Sequence, residues 1–136
     1  MYQTILFDLD GTLTNPALGI TNSLVYALEK FNIEVTDKKE LYRFIGSPLQ
    51  DSFENFYHFS KEDSLKAVDF YRDYFRHKGL YENEVYQGIP DLLERLKAQG
   101  KKLLVATSKP EEFARQILKH FEFFNYFDLV AGASMD

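Results

Sequence analysis

The sequence predicts an α/β fold, a doubly wound parallel sheet whose first strand is followed by an inserted α-helical cap. Short, β-rich apolar runs occupy residues 4–9, 102–107 and 127–131. The last two runs flank one segment of helical period, the strand–helix–strand alternation that builds parallel sheets. Between the first and second runs, residues 15–84 carry helical periodicity and no strand signal. The core is therefore assigned to residues 1–14 and 85–136, and the cap to residues 15–84.

The run TILFDL is apolar on both faces, as expected of a strand buried inside a parallel sheet. Asn15 and Pro16 then start a helix on which Ile20, Leu24, Ala27, Leu28 and Phe31 recur along one face. Asp37 with Glu40 reads as a capping pair for a short helix, which Gly46 terminates before Ser47 and Pro48 begin another. Ser60 caps a longer helix carrying Leu65, Val68, Tyr71 and Phe75, closed by Arg76, His77 and Lys78 and then Gly79. Gly88 and Pro90 introduce a helix on Ile89, Leu92, Leu93 and Leu96 that Gly100 ends. After the second strand, Pro110 starts a helix carrying Phe113, Ile117, Leu118 and Phe121. Three strands are expected in all.

Composition narrows the chemistry. At 136 residues the chain has room for one core domain and a small insertion, and 13 Phe with 9 Tyr can fill its interior. A formal charge of -5 leaves no basic face for a nucleic-acid duplex or an anionic membrane surface. The absence of cysteine excludes disulfides, thiolate catalysis and Cys-ligated zinc. The N-terminus has no basic stretch ahead of its apolar run, and no run approaches the ~18 residues of a membrane span, so a cytoplasmic protein is expected.

The informative stretch is Phe7-Asp8-Leu9-Asp10-Gly11-Thr12-Leu13. Carboxylates one residue apart leave the end of a strand on the same side. Two close carboxylates repel unless a cation neutralises them or one holds a proton, and both outcomes suit phosphoryl transfer. An acidic strand end followed by an ordinary Asp-Gly turn would look the same from this segment alone. Near the end of the second strand, Thr107 and Ser108 precede a helix start, where they either contact an anion or cap the helix. Lys109 reads equally as a solvated charge. His58, His77 and His120 lack the spacing of metal ligands and are read as structural or exposed.

The segment Asp8 to Leu13 resembles the first motif of the haloacid dehalogenase superfamily, and the likeness continues through Tyr86-Gln87-Gly88-Ile89-Pro90 and Val105-Ala106-Thr107-Ser108-Lys109-Pro110. The phosphoglycolate phosphatase-like and 5′-nucleotidase-like branch is most similar. The resemblance implies a Rossmann-like core and a magnesium-dependent phosphate monoester hydrolase acting on a small phosphorylated metabolite. It makes Asp8 the nucleophile that forms an aspartyl-phosphate and Asp10 the residue that handles protons. Both would face the metal, Asp8 through its carboxylate and Asp10 through its main-chain carbonyl. Thr107 becomes a phosphate contact. Ser108 remains open between phosphate and cap, and Thr12 between a backbone bond and the phosphate site. Gly46-Ser47-Pro48-Leu49 resembles the family's substrate-specificity loop, with an ordinary helix-to-helix turn as the alternative.

Readings from other classes give different expectations. A phosphate-accepting receiver domain would lack the helical insertion, and a dehalogenase would not need Asp10. A sugar phosphomutase of the same superfamily would retain phosphate and need a bisphosphate activator. An inactive fragment is the remaining alternative. The superfamily pattern continues with a lysine motif and an acidic motif that do not occur before Asp136. The expectation is therefore a core lacking about 60 to 80 residues, or roughly two strand–helix units of ~30 residues each. Such a chain would be inactive alone, with its first strand left at a sheet edge.

Overall fold

The structure, a computed structural model, describes residues 3–134. Along the chain run β1 (Thr4–Phe7), β2 (Thr14–Asn15), α1 (Ala17–Glu29), a 3₁₀ segment (Lys38–Phe44), α2 (Leu49–Tyr57), α3 (Lys61–His77), a 3₁₀ turn (Gly79–Tyr81), β3 (Glu84–Val85), α4 (Ile89–Ala98), β4 (Lys102–Pro110), α5 (Glu111–His120), a 3₁₀ turn (Phe124–Tyr126) and β5 (Leu129–Ala133). These form two compact units, Met1–Pro16 with Asn83–Asp136 and Ala17–Glu82.

The first unit is a parallel sheet in the order β1-β4-β5. Pairing sets Phe7 opposite Val105 and Val105 opposite Val130. These three and Leu103 are buried, and α5 packs on the sheet with Phe113, Ala114, Ile117 and Leu118 inward. The Phe7 ring meets Phe127 edge-on at 6.0 Å between centroids. The alternate residues make the opposite face, where Leu6, Leu104 and Leu129 stand side by side across the three strands. Leu6 is 65% exposed and Leu129 55%.

This corrects the expectation of a first strand buried on both faces and running to residue 9. Regular pairing stops at Phe7, and among the described residues only the face holding Phe7 and Val105 is covered, so the period of two leaves Leu6 outside. β1 does lie at an edge of its sheet. The second strand runs past residue 107 to Pro110, and its pairing with β5 shifts register between Ala106 and Pro110.

The expected count of three strands is also corrected. β2 and β3 form a two-stranded antiparallel ribbon, Thr14 opposite Val85 and Asn15 opposite Glu84, where the chain leaves and re-enters this unit. Strands of two residues carry no period to read.

In the second unit α1 and α3 pack together, burying Ile20, Leu24, Ala27 and Leu28 from one and Val68, Tyr71 and Phe75 from the other. Leu65, expected on the buried face of α3, is 47% exposed. The inward stripe runs through Ser64, Ala67, Val68, Tyr71 and Phe75, and one residue further along turns the side chain about 100° away. Ser60 accepts the Asp63 N–H at 3.1 Å and so caps α3. Asp37 accepts from Lys39, which opens a 3₁₀ segment in place of the expected α-helical capping pair with Glu40.

The two ends of this unit meet. Glu82 accepts the Gly19 N–H through its main-chain oxygen at 2.9 Å, Asn22 through Oε2 at 2.8 Å and the Tyr74 hydroxyl through Oε1 at 3.0 Å. Desolvation and the Glu82 carboxylate hold the Tyr74 phenol above its ordinary value. Gly19 must be glycine here, because a Cβ would run into the Gly79 carbonyl.

Candidate active site

The chain leaves β1 into a tight loop. The Leu9 carbonyl accepts N–H groups from Thr12, Leu13 and Thr14 at 3.2, 2.9 and 3.2 Å, and the Gly11 N–H returns to the Thr14 carbonyl at 2.8 Å. Gly11 sits at φ +81°, a left-handed conformation that suits glycine. Leu9 and Leu13 are fully buried and anchor the loop from beneath. Asp8 is exposed at the carboxyl end of the strand, where its Oδ1 accepts the Leu9 N–H at 2.8 Å.

Asp10 is half-buried. Its Oδ2 lies 3.2 Å from Lys109 Nζ, and the Lys109 side chain is only 8% exposed. Asp10 Oδ1 is buried with no hydrogen-bond partner among the described residues. Burial holds the Asp10 carboxyl above the ordinary carboxylate value; Lys109 opposes this by charge and hydrogen bond, and Asp8 adds to it.

Lys109 is the residue that the sequence reading missed. Treating it as a solvated charge is corrected by its burial against Asp10. The available signal was parity, since Leu103, Val105, Thr107 and Lys109 alternate along one strand, and Pro110 holds the preceding residue extended.

Thr107 is half-buried in β4, and its hydroxyl oxygen accepts the Lys109 N–H at 3.1 Å. Neither it nor the exposed Ser108 caps α5, whose N-cap is Pro110 with no side-chain cap bond. The capping alternative is thereby removed. With its oxygen accepting, the Thr107 hydroxyl retains a proton to donate to an anion. Thr12 is exposed and uses its N–H to close the loop. Asp8, Asp10, Thr12, Thr107, Ser108 and Lys109 all belong to the sheet-bearing unit, whereas Gly46, Ser47, Pro48 and Leu49 belong to the helical one. There Gly46 takes φ +84° and Pro48 is the N-cap of α2, so the turn has a local explanation. His58, His77 and His120 are exposed. Among the described residues no cluster of three or more His, Asp or Glu could hold a metal ion.

A parallel α/β sheet that carries two carboxylates just beyond the end of its first strand, with a helical insertion after them, defines the class by its fold: a parallel α/β protein with an acidic loop at the carboxyl end of a strand. The chain belongs to the haloacid dehalogenase-like hydrolase family, whose model matches residues 5–135. It is 49% identical over 135 residues to a 5′-nucleotidase of Pseudomonas aeruginosa, covering 99% of this chain and 61% of that protein. A candidate phosphatase from Clostridium difficile superposes with a TM-score of 0.94 at 47% identity, over 99% of this chain and 62% of that one. A predicted phosphatase from Clostridium acetobutylicum gives 0.88 at 52% identity, over 98% and 62%. The chain thus spans about three-fifths of the length of the relatives that it matches.

Proposed function

We propose that the protein hydrolyses phosphate monoesters through a phosphorylated Asp8. The carrying observation is the shape of the 8–14 loop, which presents an exposed carboxylate at Asp8 and a half-buried one, paired to an ammonium, at Asp10. An Asp8 oxygen attacks phosphorus, the bond to the leaving alkoxide breaks, and Asp10 gives that alkoxide its proton. Water then attacks phosphorus of the aspartyl-phosphate, Asp10 takes the water's proton, and inorganic phosphate leaves with Asp8 restored. A carboxyl held above its ordinary value is suited to carry a proton both ways. The Thr107 hydroxyl donates to a phosphate oxygen.

Asp8 and the main-chain carbonyl of Asp10 would hold a magnesium ion, which neutralises phosphate charge when bound. Substrates are small phosphorylated metabolites, with phosphoglycolate and 5′-nucleotides as candidates. Gly46, Ser47, Pro48 and Leu49 select the leaving group. The identity to a 5′-nucleotidase supports the nucleotide candidate. Among the described residues no helix is long and apolar enough to cross a membrane.

The test is phosphate release from a panel of monoesters, with and without magnesium, by the 136-residue chain and by a form extended to the length of its relatives. Magnesium-dependent release by the extended form, lost in Asp8→Asn, is the expected result. Release that survives Asp8→Asn would refute the mechanism. Equal turnover by both forms would refute the expected inactivity of the short chain.

A further inference from the structure

Lys109 has no part in the mechanism above, yet it is the most deeply placed ammonium at the site, with 8% of its side chain exposed and its Nζ 3.2 Å from Asp10 Oδ2. Burying a lysine is costly unless its charge is matched, so its position is specified by what it meets. Three features hold it there. Thr107 Oγ1 takes the Lys109 N–H at 3.1 Å. Pro110 follows and keeps its backbone extended. Gly132 presses against the Lys109 carbonyl, where a Cβ would stand 2.7 Å away. The main chain of Lys109 is therefore fixed from two sides, and its side chain reaches back to the acid loop.

The consequence concerns the two Asp10 oxygens. Oδ2 is engaged by the ammonium, whereas Oδ1 is buried without a partner among the described residues. A carboxylate rotates about its last bond with little preference unless something breaks the symmetry. The ammonium does so here, and the two oxygens cease to be interchangeable.

We infer that Lys109 is a positioning residue for the hydrolysis, holding the Asp10 carboxylate through Oδ2 in the one orientation from which it exchanges a proton with leaving group and water. The inference rests on the reading of Asp10 as the proton-transfer residue. It assigns Lys109 no contact with substrate.

The experiment is a double-mutant cycle on the extended protein with Lys109→Met, which keeps the aliphatic stem, and Asp10→Asn, read in both stability and turnover of p-nitrophenyl phosphate. In stability, Lys109→Met should lower Tm less in the Asp10→Asn background than alone. In turnover, Lys109→Met should lower kcat by roughly 10- to 100-fold, since small misplacement of a catalytic group costs up to ~10²-fold, while KM stays within about twofold. The double variant should be no slower than Asp10→Asn by itself.

Independent effects on Tm would overturn the pairing whether or not the protein turns over. Coupled Tm with multiplicative losses in kcat would overturn the positioning role and leave a structural ion pair. A raised KM with unchanged kcat would place Lys109 on the substrate phosphate and also overturn it. If Asp8→Asn keeps wild-type turnover, the hydrolase reading fails, and Lys109's catalytic role fails with it. The stability cycle then still reports whether the pair exists, so the two failures are told apart.

Discussion

Gly132→Ala should destabilise the sheet-bearing unit and loosen the acid site together. A Cβ at this position would lie 2.6 Å from Glu111 Cα, 2.7 Å from Glu111 N and 2.7 Å from the Lys109 carbonyl oxygen. All three are backbone atoms, so no side chain can swing aside, and β5 must move away from the start of α5. Overpacking of this kind costs about 1–3 kcal/mol. Alanine returns about 0.5–1 kcal/mol over glycine in a strand. The clash outweighs that return, for a net loss of about 1 kcal/mol. For a chain of this size that corresponds to a fall in Tm of roughly 3–5 °C. Differential scanning calorimetry on wild type and variant measures it, with phosphate release followed in parallel because Lys109 belongs to the displaced backbone. An unchanged or raised Tm would refute the close approach of β5 to α5.

Further outcomes follow from the acid loop and the cap. Asp8→Asn should abolish any covalent phosphoenzyme while circular dichroism shows the fold intact, because an amide oxygen is a poor nucleophile and the change is nearly isosteric; trapped phosphoenzyme in that variant would contradict the role. Asp10→Asn should lower kcat more than it raises KM, since proton transfer matters chiefly in the transition state, and a pure KM effect would argue against it. The same variant carries a pH test. Because the folded protein holds the Asp10 proton more tightly than the unfolded chain does, this group's stabilising contribution is complete below its ordinary value of 3.8 and is lost as pH rises through the higher folded value. The Tm of wild type relative to Asp10→Asn should therefore be greatest in acid and decline toward neutrality; a rising difference would reverse the sign. Substitutions at Gly46, Pro48 or Leu49 should change substrate preference without reordering metal ions in a metal-dependence assay, and a reordered series would count against a purely selective loop.

Long periodic elements were legible in the sequence because packing on one face imposes a period that residue types record. The stripes of α1 and α5 fall where Ile20, Leu24, Phe113 and Ile117 place them. Leu65 misled because hydrophobicity alone does not say on which side of a stripe a residue lies. Leu6 misled because the sequence records that a strand is apolar and not what lies over it. The ribbon of β2 and β3 is held by backbone bonds between two residues on each side, and backbone bonds leave no trace in side-chain type. At the site, Asp8, Asp10 and Gly11 were visible because their order in the chain is also their order in the loop. Lys109 was not, because its partner lies 99 positions earlier and a lysine's type says nothing of its burial.

The clasp at Glu82 makes the helical unit separable in a topological sense. Residues 19 and 82, close to its first and last, are one hydrogen bond apart, so 66 residues of chain begin and end at nearly the same point in space. A segment whose ends coincide asks of its host only a gap the width of a hairpin turn, and the ribbon of β2 and β3 has that width. Lengthening, shortening or replacing the segment would leave the separation of its ends unchanged, and with it the geometry of the loop that carries Asp8 and Asp10. Through that arrangement the helical unit can change in length or sequence while the two chain ends that flank it stay where they are.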